Sequence, residues 1–311
     1  MACPDALKGV LSARKAAKAL AEGCVRAGAQ CDEVPVADGG EGTAEALYGA
    51  LGGEWHTAFV HDPLGREIEA RFVVLQDGRA VVESADPLGL WRLAPDELDP
   101  LRASSRGLGE LILAAADREL VVGIGGTATV DGGAGLREVL DALPGRTTVL
   151  CDVRSPLLDA ARVFSAQKGA SPADALELER RLSAMAELRP YADLPGAGSA
   201  GGLGAAFAAL GAELVPGAEF VIEAVSLRER LRSAALAVTG EGTVDRTSAE
   251  GKAAGAVVRL CAEEGVRCAV FGGRVEKPLP GAESYELSGD PERASEDLVA
   301  LGERLGRSLA D

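Results

Sequence analysis

The chain has 311 residues, of which 47% are hydrophobic and 26% charged, and carries a formal net charge of −16. That length can bury a large core and points to two domains rather than one. The acidic balance excludes the basic surfaces that bind nucleic acid or anionic membranes, so a site for an anionic small molecule has to be locally positive.

In chain order, Ser12 is the expected N-cap of a helix that runs through Cys24 and Val25 and stops at Gly28. Its apolar positions Leu20, Ala21, Cys24 and Val25 share one helical face. A short strand over 32–36 then enters the segment Ala37-Asp38-Gly39-Gly40-Glu41-Gly42-Thr43, followed by a second helix. Residues 68–75 and 79–83 read as a hairpin across Gln76-Asp77-Gly78. A helix over 107–117 precedes an apolar strand, Leu120–Ile124, which opens on a glycine-rich loop. Residues 148–151 repeat that pattern and end at Asp152, and Pro172 occupies the first position of a further helix. Residues 236–238 and 268–271 are short apolar strands that end at glycines. Strands alternating with helices predict an α/β fold with largely parallel sheets and function at the carboxyl ends of the strands.

Cysteines at 3, 24, 31, 151, 261 and 268 form no C-x-x-C pair, and with only two histidines no zinc site is spelled out. Cys3, Cys151 and Cys268 lie in or beside apolar runs, as buried reduced thiols do. Neither a signal peptide nor an apolar run of bilayer length is visible, so the expected compartment is cytoplasmic. Six of the 32 basic residues are lysines, and Lys8, Lys168 and Lys252 adjoin a glycine in motif-like stretches. A chain that otherwise uses arginine gains a compact point charge at those positions.

Three glycine-rich segments carry the chemical signal. The first, 37–43, frees backbone N–H groups beside Asp38 and Glu41. The second runs over 123–135, from a strand towards a helix, and the third is Thr239-Gly240-Glu241-Gly242-Thr243-Val244-Asp245, with Lys252 shortly after. Close backbone approach, acids able to hold Mg²⁺ and a cation for phosphate oxygens are the parts that phosphoryl transfer needs. A dinucleotide-binding reading competes, because Gly123, Gly125 and Ala128 satisfy G-x-G-x-x-A after a strand, with Asp141 or Asp152 as the ribose acid. Against it, residues 129–133 delay the helix and place Asp131 where a pyrophosphate would lie. Gly196, Gly198 and Gly201 match the same pattern but follow Leu194-Pro195 rather than a strand. No G-x-S-x-G elbow occurs, and His56 and His61 stand far from any nucleophile.

Taken together these segments resemble the bacterial-type glycerate kinase family, the type 1 glycerate 2-kinases. Pro4-Asp5-Ala6-Leu7-Lys8-Gly9 is similar to its Pro-Asp-Ser-Phe-Lys-Gly, and residues 36–43 match almost outright. Residues 123–135 resemble its Gly-Ile-Gly-Gly-Ser-Ala-Thr-Asn-Asp-Gly-Gly-Ala-Gly segment. Gln167-Lys168-Gly169-Ala170, residues 194–217, and Thr239-Gly240-Glu241-Gly242 with Asp245, Gly251 and Lys252 continue the match in order along essentially the whole chain. Ala6 stands in place of a serine and Val130 of an asparagine, and only Met1-Ala2-Cys3 precede the first motif, which implies either a stunted opening strand or a start assigned too far downstream.

The resemblance implies two α/β domains with an interdomain cleft, one from residues 1–60 plus 232–311 and an inserted one over 61–231. It implies ATP- and Mg²⁺-dependent phosphorylation of D-glycerate, with 2-phosphoglycerate favoured over 3-phosphoglycerate, and is compatible with a homodimer. Asp38, Asp245, Glu241 and Lys252 are the expected catalytic groups, with Asp38 and Asp245 sharing the base and Mg²⁺ roles in an order left open. Asp5, Lys8, Gly39 and Gly40 are expected at the substrate. Gly125, Gly126, Thr127, Asp131, Gly132, Gly133, Gly201 and Gly202 are expected at the nucleotide, Asp131 being equally an N-cap. The alternatives are an NAD-dependent dehydrogenase of a small hydroxy acid and a ligand-binding relative of weak activity.

Overall fold

The computed structural model describes residues 1–151, 153–249 and 252–309, so Asp152 and Gly251 lie outside the described residues. Helices α1 (Ala13–Arg26) and α2 (Thr43–Leu51) precede strands β1 (Gly53–His61), β2 (Glu67–Leu75) and β3 (Ala80–Glu83). Helices α3 (Ala85–Leu88) and α4 (Arg106–Ala114) lead to β4 (Leu120–Ile124), and α5 (Ala134–Val139) leads to β5 (Thr147–Cys151). Next come α6 (Asp159–Arg162), α7 (Pro172–Ala184), α8 (Ser199–Ala209) and β6 (Glu213–Pro216). The chain ends with α9 (Gly217–Ala224), α10 (Leu227–Leu231), β7 (Leu236–Val244), α11 (Ala253–Glu264), β8 (Arg267–Val275), β9 (Glu283–Glu286) and α12 (Ala294–Arg307).

Two compact units result, one of residues 1–38, 45–50 and 218–311, the other of 39–44 and 51–217. The second unit holds a six-stranded sheet in the order β1-β2-β3-β4-β5-β6. Its β1–β2 and β2–β3 pairs are antiparallel, and β3 through β6 are parallel. Leu120, Val122 and Ile124 of β4 pack with Leu108, Leu111 and Ile112 of α4, all fully buried. An apolar run of that kind belongs in a central parallel strand. β1 was not expected: it is an edge strand whose residues are mostly exposed or half-buried, so it lacks the alternation that marks a strand in sequence.

In the first unit β7, β8 and β9 form a parallel sheet, and Leu20 of α1 packs with Leu298 and Leu305 of α12 and Phe271 of β8. Ser12 caps α1 by accepting from the Lys15 N–H at 3.4 Å. The opening residues form no strand but make strand-like pairings: Ala2 bridges both Glu33 and Val238 in parallel. Cys3 N–H donates to Val238 O at 2.8 Å and Asp5 N–H to Gly240 O at 2.9 Å, while Val34 and Val36 donate back to Ala2 O and Pro4 O. A second correction concerns 239–244, which are strand rather than loop. β7 runs on to Val244, in register with Val270 through Val275 of β8. Gly240 is required there by packing, because a Cβ would lie 2.2 Å from Phe271 O.

Candidate active site

The charged residues of the three motifs in the first unit meet at the carboxyl end of β7. Asp5, fixed by its N–H bond to Gly240 O, is 3% exposed, and Asp38 at the end of the 32–38 segment is 2% exposed. Burial first, and then the neighbouring Asp38 charge, push the Asp5 carboxyl well above its ordinary range; Lys8 works the other way and Glu241 adds to the rise. Glu241 projects from β7 and is 7% exposed. Its Oε2 accepts from Lys252 Nζ at 2.9 Å, whereas its Oε1 has no hydrogen-bond partner among the described residues.

Lys252 occupies the N-cap position of α11. Its burial opposes the charged form, but Glu241 and Asp245 outweigh that and raise the ammonium above its ordinary value. Asp245, just past β7, accepts at Oδ1 from the Thr247 N–H and hydroxyl, at 2.7 and 2.6 Å, and from the Ser248 N–H at 3.2 Å. The Thr247 hydroxyl, followed after burial's opposing effect by Thr247's backbone and Lys252, holds its carboxyl below the usual range. Asp38, Asp5, Lys8, Glu241, Lys252 and Asp245 thus form one continuous electrostatic chain.

A divalent cation fits this donor set. A buried carboxylate oxygen without a partner and a buried Asp5 carboxyl whose charge is disfavoured beside Asp38 both call for positive charge, and Mg²⁺ needs only one or two carboxylates beside substrate phosphates. Among the described residues no three or more acid, histidine or cysteine side chains are arranged as a ready-made metal cage.

The second unit holds the glycine-rich residues 125–133. Ser84 Oγ accepts from Gly125 N–H at 3.1 Å and donates to Gly125 O at 3.2 Å. Asp131 serves as a cap: Oδ2 accepts from the Ser105 N–H, the Ser105 hydroxyl and the Gly135 N–H, at 2.8, 2.7 and 3.1 Å, and Oδ1 from Gly133 N–H at 3.1 Å. Thr127 is buried, and buried Lys168 donates from Nζ to Thr129 O at 2.7 Å. Ser84, Ser105 and Lys168 were missing from the expected site, and only the lysine beside Gly169 carried a sequence signal.

Most of the glycines here face protein. A Cβ on Gly133 would stand 2.4 Å from Ala206 Cβ, and one on Gly201 would stand 2.0 Å from Thr129 O. Gly132 and Gly202 also abut one another, with Gly202 Cβ placed 3.0 Å from Gly132 Cα. Gly126, at φ +64°, differs, since its nearest contact would be Ala85 Cβ at 3.5 Å. Gly201→Ala, at φ +76°, is therefore expected to destabilise the protein by about 2–4 kcal/mol, read from the urea midpoint. An unchanged midpoint would free Gly201 from this packing role. Gly39 and Gly40 belong to this unit, with Gly39 against Leu150 of β5.

The dinucleotide reading does not survive this geometry. A Cβ on Gly123 would meet Gly39 O at 2.7 Å, and the next helix begins only at Ala134. Asp141 is an exposed residue just past α5.

Parallel α/β sheets, acids and a lysine at a strand's carboxyl end, and a glycine-rich turn define a phosphotransferase of the α/β class. The family model described as "Glycerate kinase family" matches residues 1–144 and 143–289. The chain is 40% identical over 297 residues to "Glycerate 2-kinase" of Escherichia coli (strain K12), covering 80% of this chain and 78% of that one. It is 38% identical over 298 residues to "Glycerate kinase" of Bacillus subtilis (strain 168), with 80% and 78% covered. A crystal structure of a candidate glycerate kinase 2 from Salmonella typhimurium LT2 superposes with a TM-score of 0.81 at 31% identity, over 99% of this chain and 97% of that one. The chain belongs to the glycerate kinase family. Among the described residues no helix is long and apolar enough to cross a membrane.

Proposed function

We propose that the protein transfers the γ-phosphoryl group of ATP, with Mg²⁺, to a hydroxyl of D-glycerate, the 2-hydroxyl in preference to the 3-hydroxyl. The observation that carries this reading is the joining of Asp5, Lys8, Asp38, Glu241, Asp245 and Lys252 within one unit, with Glu241 Oε1 left unsatisfied. Asp38, buried at the end of its segment, is assigned to accept the proton leaving the glycerate hydroxyl at a carboxylate oxygen. Asp5 beside it, held towards its neutral form, donates a hydrogen bond to an anionic oxygen. Lys252 and Lys8 place ammonium groups against the substrate carboxylate and the transferring phosphoryl oxygens.

Mg²⁺, when bound, neutralises charge on the β- and γ-phosphates. Glu241 Oε1 and Asp245 are assigned to hold it, Asp245 with the oxygen not committed to Thr247 and Ser248. Asp38 can share the ion only while its carboxylate is ionised, before it takes the glycerate proton. Gly126 and Thr127 are assigned to the nucleotide, with Asp131, Gly132, Gly133, Gly201 and Gly202 shaping the turn that presents them. D-glycerate-dependent release of ADP in a coupled assay is the expected result. ADP release indifferent to D-glycerate would contradict the substrate assignment.

A further inference from the structure

We propose that Glu83 is a positioning residue of the phosphoryl-transfer site, its ionised carboxylate fixing residues 39–44 and through them the backbone that carries Asp38. The inference rests on the reading of Asp38 given above, and nothing in the motifs pointed to Glu83.

Glu83 is the last residue of β3 and stands in register with Gly123 of β4. Its Oε1 accepts from the Ala44 N–H at 2.6 Å, and the Gly42 N–H favours its charged form as well. Both donors lie at the start of α2, where N–H groups have no intrahelical acceptor and a negative charge is favoured. The neighbouring strand ends supply room rather than polar contacts. Gly39 rests on Leu150, with a built Cβ only 2.9 Å from Leu150 Cβ, and the absent side chain of Gly123 admits Gly39 O. Residues 39–44 therefore lie across the carboxyl ends of β3, β4 and β5, and Glu83 supplies the charged anchor. Asp38 is one peptide bond away.

Burial, opposed by the Ala44 and Gly42 N–H groups and aided by Asp86 and Glu41, lifts the Glu83 carboxyl to about 7 from the usual 4.5. Asp86 is itself paired with Arg92 at 3.1 Å and Arg71 at 3.4 Å, and Glu41 is exposed. Because the folded value is raised, the fold disfavours the ionised form: stability present below the usual value is lost as pH rises through about 7. The ionised anchor serves position at the expense of stability. Protonation leaves one oxygen to accept but makes the other an O–H donor and removes the negative charge at the start of α2, loosening the segment.

The test compares the full-length wild type with Glu83→Gln between about pH 5.5 and 9. Wild-type amide exchange in residues 40–46, corrected for its intrinsic pH dependence, should accelerate as pH falls through about 7. At about pH 8 the variant should exchange faster there and lose kcat by on the order of 10- to 100-fold, the scale of a misplaced reacting group. Its kcat profile should lack the acidic limb, while its thermal midpoint at that pH is no lower than wild type. Unchanged exchange and an unchanged kcat profile would overturn the proposal, as would a thermal midpoint that falls together with activity. If the wild type fails to phosphorylate glycerate, the functional reading fails, and the exchange comparison still decides whether Glu83 holds this segment.

Discussion

Asp38→Asn should lower kcat by on the order of 10²–10⁴-fold, the range for removing a general base, with no matching loss of stability. Asparagine keeps the size and one acceptor oxygen of a side chain that is only 2% exposed, so packing is conserved. It also removes the second-largest cause of the raised Asp5 value. A carboxyl raised in the fold contributes stability at low pH that is lost as pH rises through its folded value. Relieving Asp5 therefore reduces that loss, and the thermal midpoint of the variant at about pH 8 should stay within a few degrees of wild type or exceed it. Activity within a factor of a few of wild type would remove Asp38 from the chemistry. The corresponding Asp245→Asn change should raise the Mg²⁺ requirement while its Oδ1 still accepts from Thr247 and Ser248.

Lys252→Met carries the second large effect, a fall in kcat/KM of on the order of 10²–10³-fold, as expected for loss of a preorganised charge. This variant also has a structural cost. Its 2.9 Å bond to Glu241 disappears, leaving Oε2 of a 7% exposed carboxylate without a partner, as Oε1 already is. A buried acceptor stripped in this way costs about 1–3 kcal/mol. The double variant Lys252→Met/Glu241→Gln separates the two consequences, since it should recover much of the unfolding free energy and none of the turnover. Recovery of turnover in the double variant would reduce Lys252 to a counter-ion for Glu241.

The sequence was most informative where a local signal and the tertiary demand coincide. Leu120–Ile124 is an apolar run because it is buried between parallel neighbours, and α1 begins at Ser12 because that hydroxyl caps it. β1 gave no such signal because solvent covers much of it. The glycines announced close approach without saying to what. Gly240 makes room for Phe271 O and Gly133 for Ala206, so a pattern that resembles phosphate loops is largely one of backbone packing. Asp131 shows the same ambiguity, since its oxygens accept from Ser105, Gly133 and Gly135 as a cap's would. The charged cluster drew on residues from 5 to 252, and its members were legible one at a time. That Asp38 and Glu241 press on Asp5 depends on residues 1–5 lying beside β7, which only the fold reveals. Glu83 escaped notice for a related reason: its partner, the Ala44 N–H, lies 39 residues earlier in the chain.

The most direct test of the central claim is ³¹P NMR of the product formed from D-glycerate, ATP and Mg²⁺ by the wild-type protein. ADP is expected together with a phosphomonoester signal split into a doublet by the single proton at the 2-carbon. A triplet, from the two protons at the 3-carbon, would contradict the preferred hydroxyl and leave the kinase standing. Inorganic phosphate alone, or no consumption of ATP, would contradict phosphoryl transfer to glycerate altogether.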